Sequence, residues 1–206
     1  GAGKSTLIHL LSGFSAVDKG SVCVDGTAIP SLRIPDWQSH VAYLPQNPYI
    51  FHATLRENIS FYSPHASEEE VLQAAQIVGL EDLIAELPHG LDTRIGEGAR
   101  SLSGGQAQRV ALARVCLDKN RSILLFDEPT AHLDIETELE LKQKMLPLMH
   151  NKLVFFATHR LHWMHDMDLI LLMDEGKIVE SGTLEELRAR GSYFNTLVSQ
   201  LGGGVA

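Results

Sequence analysis

The first apolar cluster, Leu7, Ile8, Leu10 and Leu11, follows Gly1-Ala2-Gly3-Lys4-Ser5-Thr6, and its spacing opens a helix directly behind a glycine turn. Further along, Ser21 to Val24 alternates polar and apolar side chains, meets Asp25-Gly26 and continues as Thr27 to Ile29, which predicts a hairpin. Val41 to Leu44 reads as a short strand ended by Pro45. From about 50 to 116 the texture turns helical. Ser67 with Glu70 three residues later is a capping box, leading into Val71, Ala74, Ala75 and Val78. Loops at Pro88-His89-Gly90 and Gly96-Glu97-Gly98 separate this stretch from a second half.

There the pattern returns to alternating strands and helices. Ser122 to Phe126 is almost wholly apolar before Asp127, and Leu153 to Ala157 is the same before Thr158-His159. Both predict strands buried on two faces, as a mostly parallel sheet requires. Between them Ile135, Leu139, Leu146 and Met149 recur at helical spacing, which predicts an inward apolar face with Glu and Lys outside. Leu169 to Met173 and Lys177 to Val179 flank Asp174-Glu175-Gly176 as a hairpin. Thr183 and Glu186 cap a last helical stretch containing Leu187, Phe194, Leu197 and Val198, before a glycine-rich tail expected to fray. The architecture predicted is α/β: a mostly parallel sheet, a small antiparallel β portion, and a helical lobe inserted at about 50–116 of a single domain over 1–206.

Composition narrows the picture. A length of 206 residues suits one domain with an inserted lobe, and 44% hydrophobic with 21% charged residues excludes a disordered chain. A net charge of −9 argues against a nucleic-acid partner, whose phosphates are held by clustered positive charge. Cys23 and Cys116 lie far apart in apolar runs, which predicts small buried side chains rather than a disulfide. No apolar run approaches about 18 residues, so membrane association is expected to come through a partner.

Candidate chemistry begins with Gly1 to Thr6. Glycines let successive backbone amides converge on phosphate oxygens, a helix N-terminus adds partial positive charge, Lys4 reaches the β and γ phosphates, and Ser5 suits Mg²⁺. Only the end of the pattern G-x-x-x-x-G-K-[ST] is present, so the sequence reads as part of something longer. Asp127 and Glu128 follow a buried strand, where ligands bind in open α/β sheets. Asp127 suits the metal and Glu128 suits activation of water. Leu102-Ser103-Gly104-Gly105-Gln106 leads into a helix and offers a second surface for phosphate, which makes sense if each of two chains supplies half of a shared site. Gln46, after Leu44-Pro45, is a candidate to sense Mg²⁺ or water, and His159 to contact a γ phosphate or hold Glu128 and water in line. His159, His162 and His165 recur every three residues, but without a specific zinc spacing, and a half-buried helix is the expectation there.

Together these motifs resemble the nucleotide-binding domain of ATP-binding-cassette transporters. Gly1, Ala2, Gly3, Lys4, Ser5 and Thr6 are similar to the end of the Walker A motif, and Gln46 to the Q-loop. Leu102, Ser103, Gly104, Gly105 and Gln106 are similar to the LSGGQ signature, and Ile123 to Asp127 to the Walker B strand. Glu128 resembles the catalytic glutamate, Ala131 to Asp134 the D-loop, and His159 the switch histidine. The resemblance implies a P-loop ATPase that binds ATP and Mg²⁺. Its catalytic residues would be Glu128, His159 and Gln46, its phosphate contacts Gly1 to Thr6 and Leu102 to Gln106, and its metal contacts Ser5, Gln46 and Asp127. It also implies partners: a second nucleotide-binding domain, homo- or heterodimeric, and transmembrane domains that hold the chain at the cytoplasmic face of a bacterial inner membrane.

Two departures stand out. The sequence lacks the opening of Walker A with the preceding adenine-stacking aromatic, and His132 stands where many relatives carry a small residue. Thr54 to Ile59 and Asp92 to Gly98 resemble exporter segments near the coupling helices. Gly105 to Ala111 looks like the CydD-type subunit of bacterial cysteine and glutathione exporters that support cytochrome bd assembly, a pattern shared by peptide, lipid and drug exporters. An importer ATPase, a soluble relative acting on DNA or ribosomes, and a non-catalytic scaffold are the alternatives. The net charge and the intact Glu128, His159 and LSGGQ speak against the last two.

Overall fold

The computed structural model describes residues 1–191 and 193–200, so the glycine-rich tail lies outside the described residues. Helix α1 (Lys4–Leu11) is followed by the hairpin of β1 (Val22–Val24) and β2 (Thr27–Ile29), then α2 (Pro35–His40) and β3 (Val41–Leu44). Strand β4 (Ala53–Thr54) leads into α3 (Leu55–Ile59), α4 (Glu68–Ile77) and α5 (Glu81–Glu86), and pairs antiparallel with β5 (Arg94–Ile95). Helix α6 (Gly104–Leu117), β6 (Ile123–Asp127), α7 (Ile135–Met149) and β7 (Leu153–Ala157) come next. The hairpin β8 (Ile170–Asp174) and β9 (Lys177–Gly182) with α8 (Leu184–Arg190) and α9 (Tyr193–Gln200) completes the described residues.

The main sheet is parallel throughout, in the order β3-β6-β7. Strand β6 lies in its middle and is buried at every position, so period-two alternation sorts its side chains onto two faces. Leu124 and Phe126 join the core built with Leu55, Val71, Val110 and Leu112 of the helical stretch. Ile123 and Leu125 pack on the other face with Ile8 of α1, Val41 and Ala157. The helical stretch therefore shares its core with the sheet. The caps expected at Ser67 and Glu70 and at Thr183 and Glu186 form, each pair exchanging both capping-box hydrogen bonds, and Ser103 and Gln106 form a third.

Three expectations are corrected. Helix α7 is turned: Ile135 is 52% and Leu139 44% exposed, while Glu138, Leu141, Lys142, Met145 and Met149 face inward. The reason is ionic. Glu138 pairs with Arg160 at 3.2 Å and Lys142 with Asp166 at 2.5 Å, so two charged residues occupy the buried face. Strand β7 is buried on both faces only at Ala157, since β6 is its one partner among the described residues and Leu153 is 53% exposed. Cys23 is exposed at the β1–β2 hairpin, and only Cys116 meets the expectation of a sheltered thiol, its pKa pushed up to about 12 by burial. No helix among the described residues is long and apolar enough to cross a membrane.

The segment after Gln46 is fastened by Asn58, which is fully buried. Its Oδ1 accepts from the Phe51 amide at 2.9 Å and from Arg114 at 2.8 Å, and its Nδ2 donates to the carbonyls of Phe51 and Thr54 at 3.0 Å each. Arg114 of α6 donates further to the carbonyls of Asn58 and Tyr49. Burial lowers its pKa to about 10. Asn58→Ala strands several of these buried groups and is expected to lower unfolding free energy by about 2–4 kcal/mol, read as a shifted urea midpoint at constant slope.

Candidate functional site

Gly3 precedes α1 with φ 97°, a left-handed conformation that glycine adopts without strain. A Cβ there would lie 3.1 Å from Gly176 Cα, because the Gly176 amide donates to the Ala2 carbonyl at 3.1 Å and brings the β8–β9 turn against the loop. No side chain caps α1, so its first amides open onto the site, with the Ser5 and Thr6 side chains exposed beside them and Gly1 exposed ahead. An uncapped N-terminus with Lys4 in its first turn is suited to an anion.

The register of the sheet determines what faces that loop. Leu44 pairs with Phe126, and Asp127 with Ala157, so the chain leaves β3, β6 and β7 along one edge. Gln46, Glu128 and His159 are the residues just beyond. Asp127 is buried, with its Oδ1 lacking any donor, and its carboxylate together with burial raises the Tyr43 pKa to about 12, burial being the larger cause. Glu128 turns the chain at φ 48°, a strained conformation for a non-glycine residue. Its amide donates to the Ala157 carbonyl at 2.8 Å. Its carboxylate then stands between two cationic or polarisable groups: Lys4 Nζ at 3.9 Å and His159 Nδ1 at 2.9 Å.

The structure thus brings Lys4, Glu128 and His159 together. It leaves Gln46 exposed beyond the end of β3. Leu102, Ser103, Gly104, Gly105 and Gln106 stand elsewhere: Ser103 and Gln106 bond each other in the cap of α6, and Gly104 lies against the His132 ring, which a Cβ would approach to 3.5 Å. No hydrogen bond or ion pair joins them to Lys4, Glu128 or His159 among the described residues.

Two residues near the site were not singled out from the sequence. Gln108, fully buried on α6, donates to the Glu128 carbonyl at 3.4 Å and so ties the signature helix to the Glu128 turn. Its signal was an amide inside the apolar run of α6. Glu138 receives Thr130 and Trp163 at its Oε1, and its signal was a carboxylate in step with Leu141, Met145 and Met149. Of the histidine triplet, His162 and His165 lie in a 3-10 turn, Leu161–Asp166, around buried Trp163, rather than in an α-helix, and His159 precedes it. Burial pushes His162 below the usual histidine pKa, with Lys142 and Arg160 adding to the shift against Glu138 and Asp166. No group of three or more His, Cys, Asp or Glu among the described residues suits a metal.

An uncapped glycine turn, a strand-end carboxylate pair and a histidine on one edge of a parallel sheet define a nucleotide-handling α/β domain, and the ABC transporter family model matches residues 1–131. The chain belongs to the ABC transporter family. It is 57% identical over 98% of its length to the glutathione/L-cysteine transport system ATP-binding/permease protein CydC of Bacillus subtilis, spanning 36% of that protein. It is 41% identical over 96% of its length to an ATP-dependent lipid A-core flippase of Neisseria meningitidis, spanning 32% of it. A bacterial Atm1-family ABC exporter solved with ATP bound superimposes with a TM-score of 0.87 at 36% identity, over all of this chain and 36% of that one. The chain therefore spans about a third of the length of these relatives. The fold and exporter-type resemblance hold. The cysteine/glutathione relative bears the name CydC, where the signature segment suggested the CydD type.

Proposed function

We propose that this chain is the ATP-hydrolysing domain of a membrane exporter, with its nucleotide sites shared between two such domains packed head to tail. The observation that carries this reading is Glu128, aimed between Lys4 and His159 at the C-terminal edge of the sheet, while Ser103 and its motif lie apart on α6. Within one chain the signature motif completes nothing. Across a dimer it closes the partner's phosphate loop. The helical subdomain over about 50–116 would carry it there, and the transmembrane domains would hold the assembly at the cytoplasmic face of the membrane.

The residues fit ATP and Mg²⁺. The uncapped amides of Gly1 to Thr6 suit phosphate, and the buried Asp127 Oδ1, without a donor, is the oxygen that a hard cation takes. Ser5, Asp127 and Gln46 would hold Mg²⁺, which when bound neutralises charge on the β and γ phosphates. Lys4 grips the same phosphates, Glu128 accepts a proton from the attacking water, and His159 keeps the Glu128 carboxylate aimed. For cargo, the 57% identity to CydC supports cysteine or glutathione, and with it cytochrome bd assembly. The flippase relative keeps lipid export as the second reading.

Mixing tests the shared site. Ser103→Arg and Lys4→Ala copies are each expected to be inactive alone in the assembled transporter. In a mixed pair one site carries both lesions and the other carries none, so ATP hydrolysis returns toward half. Activity that never returns on mixing argues that each chain builds its own site.

A further inference from the structure

We infer that Glu138 is a positioning residue for the hydrolytic pair, a single buried carboxylate that ties the loop after Glu128 to the loop after His159. This rests on the reading of Glu128 and His159 given above. Two residues after Glu128 stands Thr130, which is 1% exposed and donates its hydroxyl to Glu138 Oε1 at 2.5 Å. His159 is followed by Arg160, whose guanidinium sits 3.2 Å from Glu138 Oε2 and also donates to the Leu133 carbonyl at 3.3 Å. Trp163 donates its indole N–H to Glu138 Oε1 at 2.8 Å, and His162 Nε2 lies 3.4 Å from the same oxygen. Glu138 itself has no exposed surface.

A buried carboxylate is retained only where donors compensate its lost hydration. Here the donors come from both strand-end loops, so the charge resists movement of either loop relative to the other. The 2.9 Å contact between His159 and Glu128 spans those two loops. Lys142 reinforces the second loop from the next turn of α7, donating to the His162 carbonyl at 2.6 Å and pairing with Asp166. Helix α7 thus acts as the strut that holds the Glu128 and His159 side chains in register, although among the described residues it makes no hydrogen bond or ion pair to either.

The test is ATP hydrolysis by the assembled transporter carrying Thr130→Val, Thr130→Ser or Glu138→Gln. Thr130→Val keeps the shape and removes the hydroxyl. It is expected to lower kcat roughly tenfold while KM for Mg-ATP moves less than about twofold, because misplaced reacting groups cost rate and the phosphate loop is untouched. Thr130→Ser restores the donor and is expected to stay within about twofold of the parent. Glu138→Gln keeps one carbonyl acceptor but loses the charge opposite Arg160, and should show the same split between kcat and KM. Parental kcat in both the Val and Gln variants, or equal losses in Val and Ser, overturns the inference. A Glu128→Gln control separates the two readings. Unimpaired turnover there removes the role of Glu128, whereas an inactive control beside fully active Thr130→Val and Glu138→Gln removes only that of Glu138.

Discussion

Glu128→Gln is expected to bind ATP as well as the parent while hydrolysis falls by about 10² or more, the usual weight of a general base. The amide matches the carboxylate in shape, so the turn at φ 48° and its amide bond to Ala157 persist. Its carbonyl oxygen can still meet His159, 2.9 Å away in the parent. What disappears is the capacity to accept a proton. The change also frees Lys4, 3.9 Å from the carboxylate, of a competing anion, so affinity for nucleotide should hold or rise. The expected product is a long-lived ATP-bound dimer, seen as retained nucleotide in filter binding with little phosphate released in a single turnover. Lost ATP binding with unchanged turnover per bound nucleotide would instead make Glu128 a structural residue.

The site was readable from the sequence where the backbone dictates it. Taken together, an apolar run ending in Asp127-Glu128 reads as a buried strand delivering carboxylates to its C-terminal edge, and Gly1 to Thr6 as a glycine turn that opens a helix with free amides. His159 followed from the same logic at the end of β7. Legibility failed where burial depends on a partner far along the chain. Residues 138, 141, 142, 145 and 149 of α7 are as good a helical stripe as 135, 139, 146 and 149, but the first contains Glu and Lys. Local periodicity gives such a stripe to solvent. Only Arg160, Trp163 and Asp166, brought over by the 3-10 turn, make it the inner face. Gln108 was hidden for a related reason: an amide in a helix has no visible role until its acceptor, the Glu128 carbonyl, arrives from another element.

These long-range ties also explain why the helical stretch and the sheet form one core. Arg114 reaches from α6 to Asn58 and Tyr49, and Gln108 reaches from the same helix to Glu128. The signature helix is therefore bonded both to the segment that follows Gln46 and to the turn that carries Glu128. Displacement of either end is resisted by a buried hydrogen bond rather than by apolar contact alone, which is non-directional.

Lys4→Ala is expected to remove ATP hydrolysis at the sites it forms and to weaken Mg-ATP binding by about 10- to 100-fold, since a charge-assisted hydrogen bond is worth about 1.5–3 kcal/mol. Stability should respond differently. Lys4 is 36% exposed, and its 3.9 Å pairing with Glu128 is long, so in water the ion pair contributes at most about 1 kcal/mol. Thermal unfolding without nucleotide is thus expected to move by only a few degrees. With saturating ATP the variant should gain less protection than the parent, because stabilisation by a ligand follows its affinity. Lys4→Arg makes the discrimination sharper. It keeps the charge but presents a planar fork in place of a compact ammonium. Binding close to the parent with hydrolysis still lost would assign Lys4 to the geometry of the transition state. Full turnover in Lys4→Ala, measured as phosphate release by the assembled transporter, would mean that the turn ahead of α1 does not hold the phosphates at all.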